Sequence, residues 1–445
     1  MSIDEKIFKS YDIRGIYPTE LNEEAAYAIG RAFARRAKAK SIVVGSDMRL
    51  SGPQLKAKLI EGITDEGTDV IDIGLVTVDT VYYAVGILFY DAGIMITASH
   101  NPREYNGFKM CLKNMAWVRG EELKDYVLNL PPLGDNPKGK VVAEDILPSY
   151  LKHVLSFCEP KKIKPLKVVI DAGNGMAGKI APLLAPSLPI EIIPLNFQLD
   201  GNFPAHPSNP LLPESQIQIG QAVVEHRADC GVIFDGDTDR IFFVNEKGKV
   251  IRGDYTALLL ARILIIREPG VSIVYNLICS KILPKKILEW GGKPVRCPVG
   301  FVNVSAAVRR SNAFMGGELS GHYCFRDHAF ADSGFIAFVL LLQSLSEDGR
   351  VISEIVKEFE EYYKSPEINL EVKNSRLIIE EIKKRYQDGR QDELDGLTVE
   401  YENWWFNVRP SNTEPLLRVT IETESQEFLD QKVEELSSLV NELNK

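Results

Sequence analysis

The stretch Cys230-Gly231-Val232-Ile233-Phe234-Asp235-Gly236-Asp237-Thr238-Asp239-Arg240-Ile241-Phe242-Phe243-Val244 joins two β-branched and aromatic runs through a loop bearing carboxylates at alternate positions. The runs at 232–234 and 241–244 predict a β-hairpin. In a flat strand Asp235 and Asp239 would lie about 13 Å apart, too far to share an ion whose oxygen ligands sit about 2.1 Å from it. The segment therefore has to curl, and Gly236 eases the bend. Curled, it offers hard anionic oxygens suited to magnesium or manganese; without a cation it is a solvated acidic turn whose like charges repel. An EF-hand fails, because Arg240 stands where the loop needs glycine and the flanks are strands. A phosphatase-type loop with glycine after its second aspartate fails on Thr238.

Outward from that hairpin, 166–170 reads as the strand that opens its unit, preceded by a helix at 149–157 and a Pro- and Gly-containing linker at 131–137. The first third alternates helices such as 23–37 with short β-branched runs at 41–45 and 93–97, the signature of an α/β layer. After the hairpin, a helix at 255–266 and a strand at 273–275 make a third opening of the same type, which implies a weak internal repeat in pattern more than identity. The pattern breaks at 364–367. Two antiparallel strands at 404–408 and 416–422 and a closing helix at 426–443 then predict a smaller α+β domain. Length alone, 445 residues, suggests about three domains.

Composition is ordinary for globular proteins, with 45% hydrophobic and 26% charged residues, which excludes wholesale disorder. Lys and Arg total 52 against 62 Asp and Glu, a net charge of −10, so neither nucleic acid nor an anionic membrane is an expected partner. The apolar stretches 257–266 and 335–342 are interrupted by Arg262 or too short to cross a bilayer, and predict buried helices. Cys111, Cys158, Cys230, Cys279, Cys297 and Cys324 form no CxxC pair. With no secretory pattern at the N-terminus, they point to the cytoplasm.

Other loops carry reactive side chains. Thr97-Ala98-Ser99-His100-Asn101-Pro102 follows an apolar strand, which would place Ser99 at the carboxyl end of a sheet, where α/β proteins bind ligands. His100 is a poor partner for Ser99, since neighbouring side chains usually point apart, and a plain Asn-Pro turn also accounts for the segment. Gly316-Gly317-Glu318-Leu319-Ser320-Gly321-His322 pairs an acceptor with a donor as vicinal sugar hydroxyls require, or is a turn with a capping Glu. Arg409-Pro410-Ser411-Asn412-Thr413-Glu414-Pro415 makes a phosphate cradle, or a hairpin turn with an exposed Arg. Gly173-Asn174-Gly175-Met176-Ala177-Gly178 fits GxGxxG, but it lies away from these loops and reads better as a tight strand-to-helix turn than as a dinucleotide site.

With Tyr11-Asp12-Ile13-Arg14-Gly15 and Asn106-Gly107-Phe108-Lys109, these loops resemble in order and over the whole length the α-D-phosphohexomutase superfamily, in its phosphomannomutase/phosphoglucomutase branch. The resemblance implies four domains around a central cleft: three similar α/β domains with mixed sheets at 1–148, 149–248 and 249–365, and an α+β domain at 366–445. It implies interconversion of hexose 1-phosphate and hexose 6-phosphate, of mannose or glucose, through a phosphoserine and a hexose 1,6-bisphosphate. Ser99 would be the phosphoserine and, with Asp235, Asp237 and Asp239, a ligand of Mg²⁺. Lys109 and His322 would act as general acid and base beside Arg14, Arg240 and Tyr11. Glu318 and Ser320 would grip the sugar, and Arg409, Ser411, Asn412 and Thr413 the phosphate that is not reacting. A monomer or homodimer acting on free sugar phosphates is expected. Ile278 and Phe301 stand where relatives often carry Lys and His, so two substrate contacts would be missing or supplied from elsewhere, by Lys281 or Arg296. Leu319 and Asn412 argue against the rival reading as a phosphoglucosamine mutase, and the intact site residues against a silent sugar-phosphate-binding relative.

Overall fold

Three times along the chain the same four-strand unit is laid down. The computed structural model describes residues 3–135, 137–411 and 416–444. In the first domain Ser41–Ser46, Asp69–Leu75 and Ala92–Ile96 run parallel and Tyr105–Leu112 pairs antiparallel with the last of them. In the second, Leu166–Asp171, Ile190–Leu195 and Cys230–Phe234 are parallel and Ile241–Val244 is antiparallel. The third repeats this with Ser272–Asn276, Lys293–Cys297, Met315–Gly317 and Tyr323–Phe325. Each sheet has the spatial order fourth, third, first, second. The repeat glimpsed in the sequence is thus one of topology. The first sheet grows to seven strands through Ile13–Ile16, Ala116–Val118 and Val141–Ala143.

This topology positions the chemistry. The third and fourth strands of each unit are adjacent and antiparallel, so the loop joining them emerges at the carboxyl end of the parallel strands. Those three loops are 97–104, 235–240 and 318–322.

The helices Glu23–Ala37 and Gln426–Leu443 have the expected bounds, capped by Asn22 and Ser425, whose side chains accept from the backbone N–H groups of Ala25 and Phe428. The helix expected at 149–157 runs Leu147–Leu155, because Pro148 is accommodated in its first turn. Both long apolar stretches are buried helices, Gly253–Arg267 and Gly334–Asp348, packed on each other. No helix among the described residues is long and apolar enough to cross a membrane. All six cysteines are free and buried.

The first three domains share a continuous apolar core that includes Tyr82, Val168, Leu258 and Phe335. Asp79 lies at their junction, accepting from Thr77, from Tyr150 Oη at 2.6 Å and from Ser333 Oγ. The fourth domain has its own core around Phe406, Leu417 and Leu436, under a six-stranded antiparallel sheet. It meets the third through a polar seam. Lys281 Nζ lies 2.7 Å from Glu400, the Val299 N–H donates to Asp395 at 3.0 Å, and Arg296 pairs with Asp392. Beside the seam the buried Lys364 ammonium sits 4.7 Å from the Trp405 ring centre.

Candidate active site

Ser99 is buried at the tip of the first loop with φ +50, in the left-handed region. Its N–H donates to Thr97 Oγ1 at 2.8 Å, and its own hydroxyl donates to Asp235 Oδ2 at 2.7 Å and lies 3.5 Å from Asp239 Oδ1. His100 Nδ1 is 3.2 Å from Ser99 Oγ. This corrects the expectation that adjacent side chains diverge here: the left-handed backbone at Ser99 swings its hydroxyl toward the next ring. Burial, then the nearby Arg240 and Arg14, push the His100 ring well below its usual range, so it is neutral.

Two residues missed in the sequence hold this loop. The Arg49 side chain is fully buried, and its guanidinium donates to the carbonyls of Ser99 (2.8 Å), Asn101 (2.6 Å), Pro102 (2.8 Å) and Tyr105 (2.9 Å). Asp47 accepts from Thr97 Oγ1 at 2.6 Å. Both follow strand Ser41–Ser46 directly, so a charged pair at the carboxyl end of a strand was the available signal.

The Asp235, Asp237 and Asp239 carboxylates are buried and each brings an oxygen within 4.8 Å of the others. The loop does curl, but the bend sits at Thr238, φ +69, and not at Gly236. Glycine is needed at 236 for close approach: a Cβ there would meet Ser208 Oγ and the Ser99 carbonyl at 2.9 Å. Lys109 Nζ donates to Asp237 Oδ2 at 2.8 Å and to Asp239. Burial, then Asp239 and Asp237, push Asp235 far above the usual carboxylate range. Asp239 is held well below it, because Lys109, His322 and Arg240 outweigh burial. Asp237 Oδ1 has no hydrogen-bond partner among the described residues. An all-oxygen, anionic, buried set with an unused acceptor fits a hard divalent cation such as Mg²⁺.

Around this centre, Arg14 donates to the Asn101 side chain, to the Ala98 carbonyl at 3.3 Å and to Asp12 at 2.8 Å. Arg240 Nε donates to His322 Nε2 at 3.0 Å, and His322 Nδ1 donates to Asp332 at 2.7 Å, a buried partner the sequence did not disclose. Glu318 accepts from Asn276 at 3.0 Å and from the Gly300 N–H at 2.8 Å, and Ser320 Oγ lies 3.5 Å from it. Phe301 stacks on His322, with ring centres 5.8 Å apart, and touches Trp117 and Tyr11 at 5.2 and 6.2 Å. Lys281 and Arg296, the residues expected to supply other contacts, pair with Glu400 and Asp392 of the fourth domain. Arg409 is buried on that domain, paired with Glu367, and the Ser411 N–H donates to Leu416 at 2.8 Å. Asn412 and Thr413 lie outside the described residues.

Three like-built domains thus deliver a serine, a carboxylate trio and the loop 318–322 to one place, the construction of a phosphohexomutase, an isomerase-class enzyme. Models for phosphoglucomutase/phosphomannomutase alpha/beta/alpha domains I, II and III match residues 5–124, 148–248 and 252–363, and the model for the C-terminal domain matches 367–438. The chain belongs to the phosphoglucomutase/phosphomannomutase family. It is 38% identical over 456 residues to a phosphomannomutase of Vibrio cholerae, covering 98% of each chain. It is 36% identical to one of Methanocaldococcus jannaschii, covering 99% of each. A crystal structure of a family protein from Burkholderia thailandensis superposes with a TM-score of 0.90 at 32% identity, over 98% of this chain and 97% of that one.

Proposed function

We propose that this phosphohexomutase converts both mannose 1-phosphate and glucose 1-phosphate to the 6-phosphates, with Ser99 carrying the phosphoryl group and Asp235, Asp237 and Asp239 holding Mg²⁺. The observation that carries the reading is the buried Ser99 hydroxyl, 2.7 Å from Asp235 and facing the carboxylate trio that Lys109 bridges. A bound Mg²⁺ would supply charge neutralisation for the group in transfer. A phosphoserine adds about −1.5 to −2 charges, which is why Lys109, Arg14 and Arg240 are gathered there.

The bond from phosphorus to Ser99 Oγ breaks as one forms to the free hydroxyl of the hexose monophosphate, giving the 1,6-bisphosphate. The attacking hydroxyl loses a proton and Ser99 regains one. Lys109, kept protonated by Asp237 and Asp239 against burial, is the acid beside Ser99. His322, fixed by Asp332 and Arg240, is the base. The bisphosphate turns end for end and returns its other phosphoryl group to Ser99. Tyr11, Glu318 and Ser320 hold the sugar, and Arg409, Ser411, Asn412 and Thr413 hold the idle phosphate at either end. Contacts at O3 and O4 ignore the configuration at C2, so both sugars are accepted. The enzyme works on free sugar phosphates in the cytoplasm, without nucleic acid or membrane, as a monomer or homodimer.

The test is a coupled assay of hexose 6-phosphate formation from mannose, glucose, glucosamine and N-acetylglucosamine 1-phosphates, with Mg²⁺ and a trace of hexose 1,6-bisphosphate. Turnover of the first two, lost in chelator and in Ser99→Ala, is expected. Wild-type turnover in Ser99→Ala refutes the phosphoserine, and activity confined to glucosamine 1-phosphate refutes the sugar assignment.

A further inference from the structure

The turn Gly173-Asn174-Gly175-Met176 belongs to none of the loops above, yet it is built against one and tethers a segment that reaches the other. The Met176 N–H donates to the Gly236 carbonyl at 2.9 Å, and a Cβ on Gly175 would meet Gly236 Cα at 2.8 Å. From this turn hangs the segment 198–208. Asn174, itself at φ +60, holds it through its side chain, donating to Gln198 O at 3.0 Å and accepting from the Ala205 N–H at 3.3 Å. The Asn174 carbonyl accepts from Asp200 at 3.1 Å. His206 is pinned at both ring nitrogens, to Asp171 Oδ2 at 3.1 Å and to the Pro207 carbonyl at 2.8 Å. Asp171, ending its strand, also accepts from the Gly173 N–H at 2.9 Å, so one carboxylate ties turn and segment together.

The far end of the segment presses on the serine-bearing domain. Ser208 Oγ lies 3.5 Å from the Ser99 carbonyl. The Phe203 ring covers the Arg49 guanidinium at 5.1 Å, and a Cβ on Gly201 would meet the Leu50 nitrogen at 2.7 Å. Between these points lies a cavity of about 520 Å³ with His100 on one wall and His206 on another.

We propose that the segment 198–208 is a brace setting the separation of the serine loop from the carboxylate loop, with Asn174 and His206 as its positioning residues. The two loops come from different domains, and transfer chemistry tolerates misplacement poorly: about 1 Å costs about 10²-fold. Arg49 fixes the serine loop within its own domain; the brace fixes it relative to Gly236. The inference rests on the reading that Ser99 and the three aspartates are the reacting centre.

The experiment compares His206→Ala, His206→Gln and Ser99→Ala in the full-length enzyme, by kcat and KM with glucose 1-phosphate, by Mn²⁺ affinity from spin-resonance titration, and by thermal melting. His206→Ala should lose about 10- to 100-fold in kcat, as a misplacement of about 1 Å does, and weaken Mn²⁺ binding, with KM within about twofold. His206→Gln, which can still donate to Asp171, should recover much of both. An unchanged kcat and Mn²⁺ affinity, or a rise in KM alone, overturns the brace while an inactive Ser99→Ala leaves the centre standing. Turnover in Ser99→Ala removes the centre and the brace with it. If His206→Ala melts early, Ser208→Ala with Phe203→Leu, which leave the Asp171 pair intact, carries the same expectation, and wild-type kcat there overturns the brace.

Discussion

Replacing Arg49 by lysine keeps the charge and removes the geometry. Four carbonyls, those of Ser99, Asn101, Pro102 and Tyr105, are served by two guanidinium nitrogens of a side chain with no solvent exposure. An ammonium offers three donors from a single atom and cannot span a fork, so about two carbonyls lose their partner. Each buried acceptor left unpaired costs about 1–3 kcal/mol, which puts the variant about 2–6 kcal/mol below the parent. That is a large share of the about 5–15 kcal/mol by which a domain is stable. Because one of the four carbonyls is that of Ser99 itself, kcat should fall about 10²-fold. Urea unfolding followed by near-UV dichroism measures the first effect and the coupled 6-phosphate assay the second. A variant within about 1 kcal/mol of the parent in stability and within about threefold in kcat would refute the claim that Arg49 builds the loop.

Lys109→Met removes the one ammonium among three carboxylates, and single-turnover transfer from the phosphorylated enzyme should slow by about 10²–10³-fold; near-normal transfer excludes Lys109 from the centre. Burial lifts Asp79 to about 6 despite hydrogen bonds from Ser333, Thr77 and Tyr150, so the folded state holds this proton more tightly than the unfolded chain. The associated stability is present in acid below about pH 4 and lost as pH rises through about 6, about 3 kcal/mol in all. Asp79→Asn should lack that slope, and melting curves falling as steeply as those of the parent over this window count against it. Phe301→Ala removes three ring contacts, each worth about 0.5–1.5 kcal/mol, and should lower stability by about 2–4 kcal/mol; an unchanged melting point means the ring anchors nothing.

The alternation of helix and β-branched run made the α/β class and the closing helix readable, because both depend on local period. Short strands were another matter. Met315–Gly317 and Tyr323–Phe325 have three residues each, two of them glycines in the first, and Val141–Ala143 is exposed throughout, so none carries a pattern. The loops announced themselves by residue type. What held them did not: Arg49 reaches carbonyls some fifty residues away, and Asp332 meets His322 from beyond the next strand. The bend at Thr238 defied propensity, since a β-branched residue in the left-handed region is disfavoured and persists only where tertiary contacts over-determine it.

The seam between the third and fourth domains is held by charge and not by apolar packing. Its members are Lys281 with Glu400, Arg296 with Asp392 and Val299 with Asp395, while the apolar cores on either side stay separate. Parting them trades ion pairs for hydration and leaves the hydrophobic interior of each domain closed, a balance of about 0–1 kcal/mol per exposed pair. Dissolved ions compete for such pairs over a Debye length of about 8 Å at physiological strength. Rising salt therefore loosens the seam between the third and fourth domains while leaving the apolar interior of each untouched.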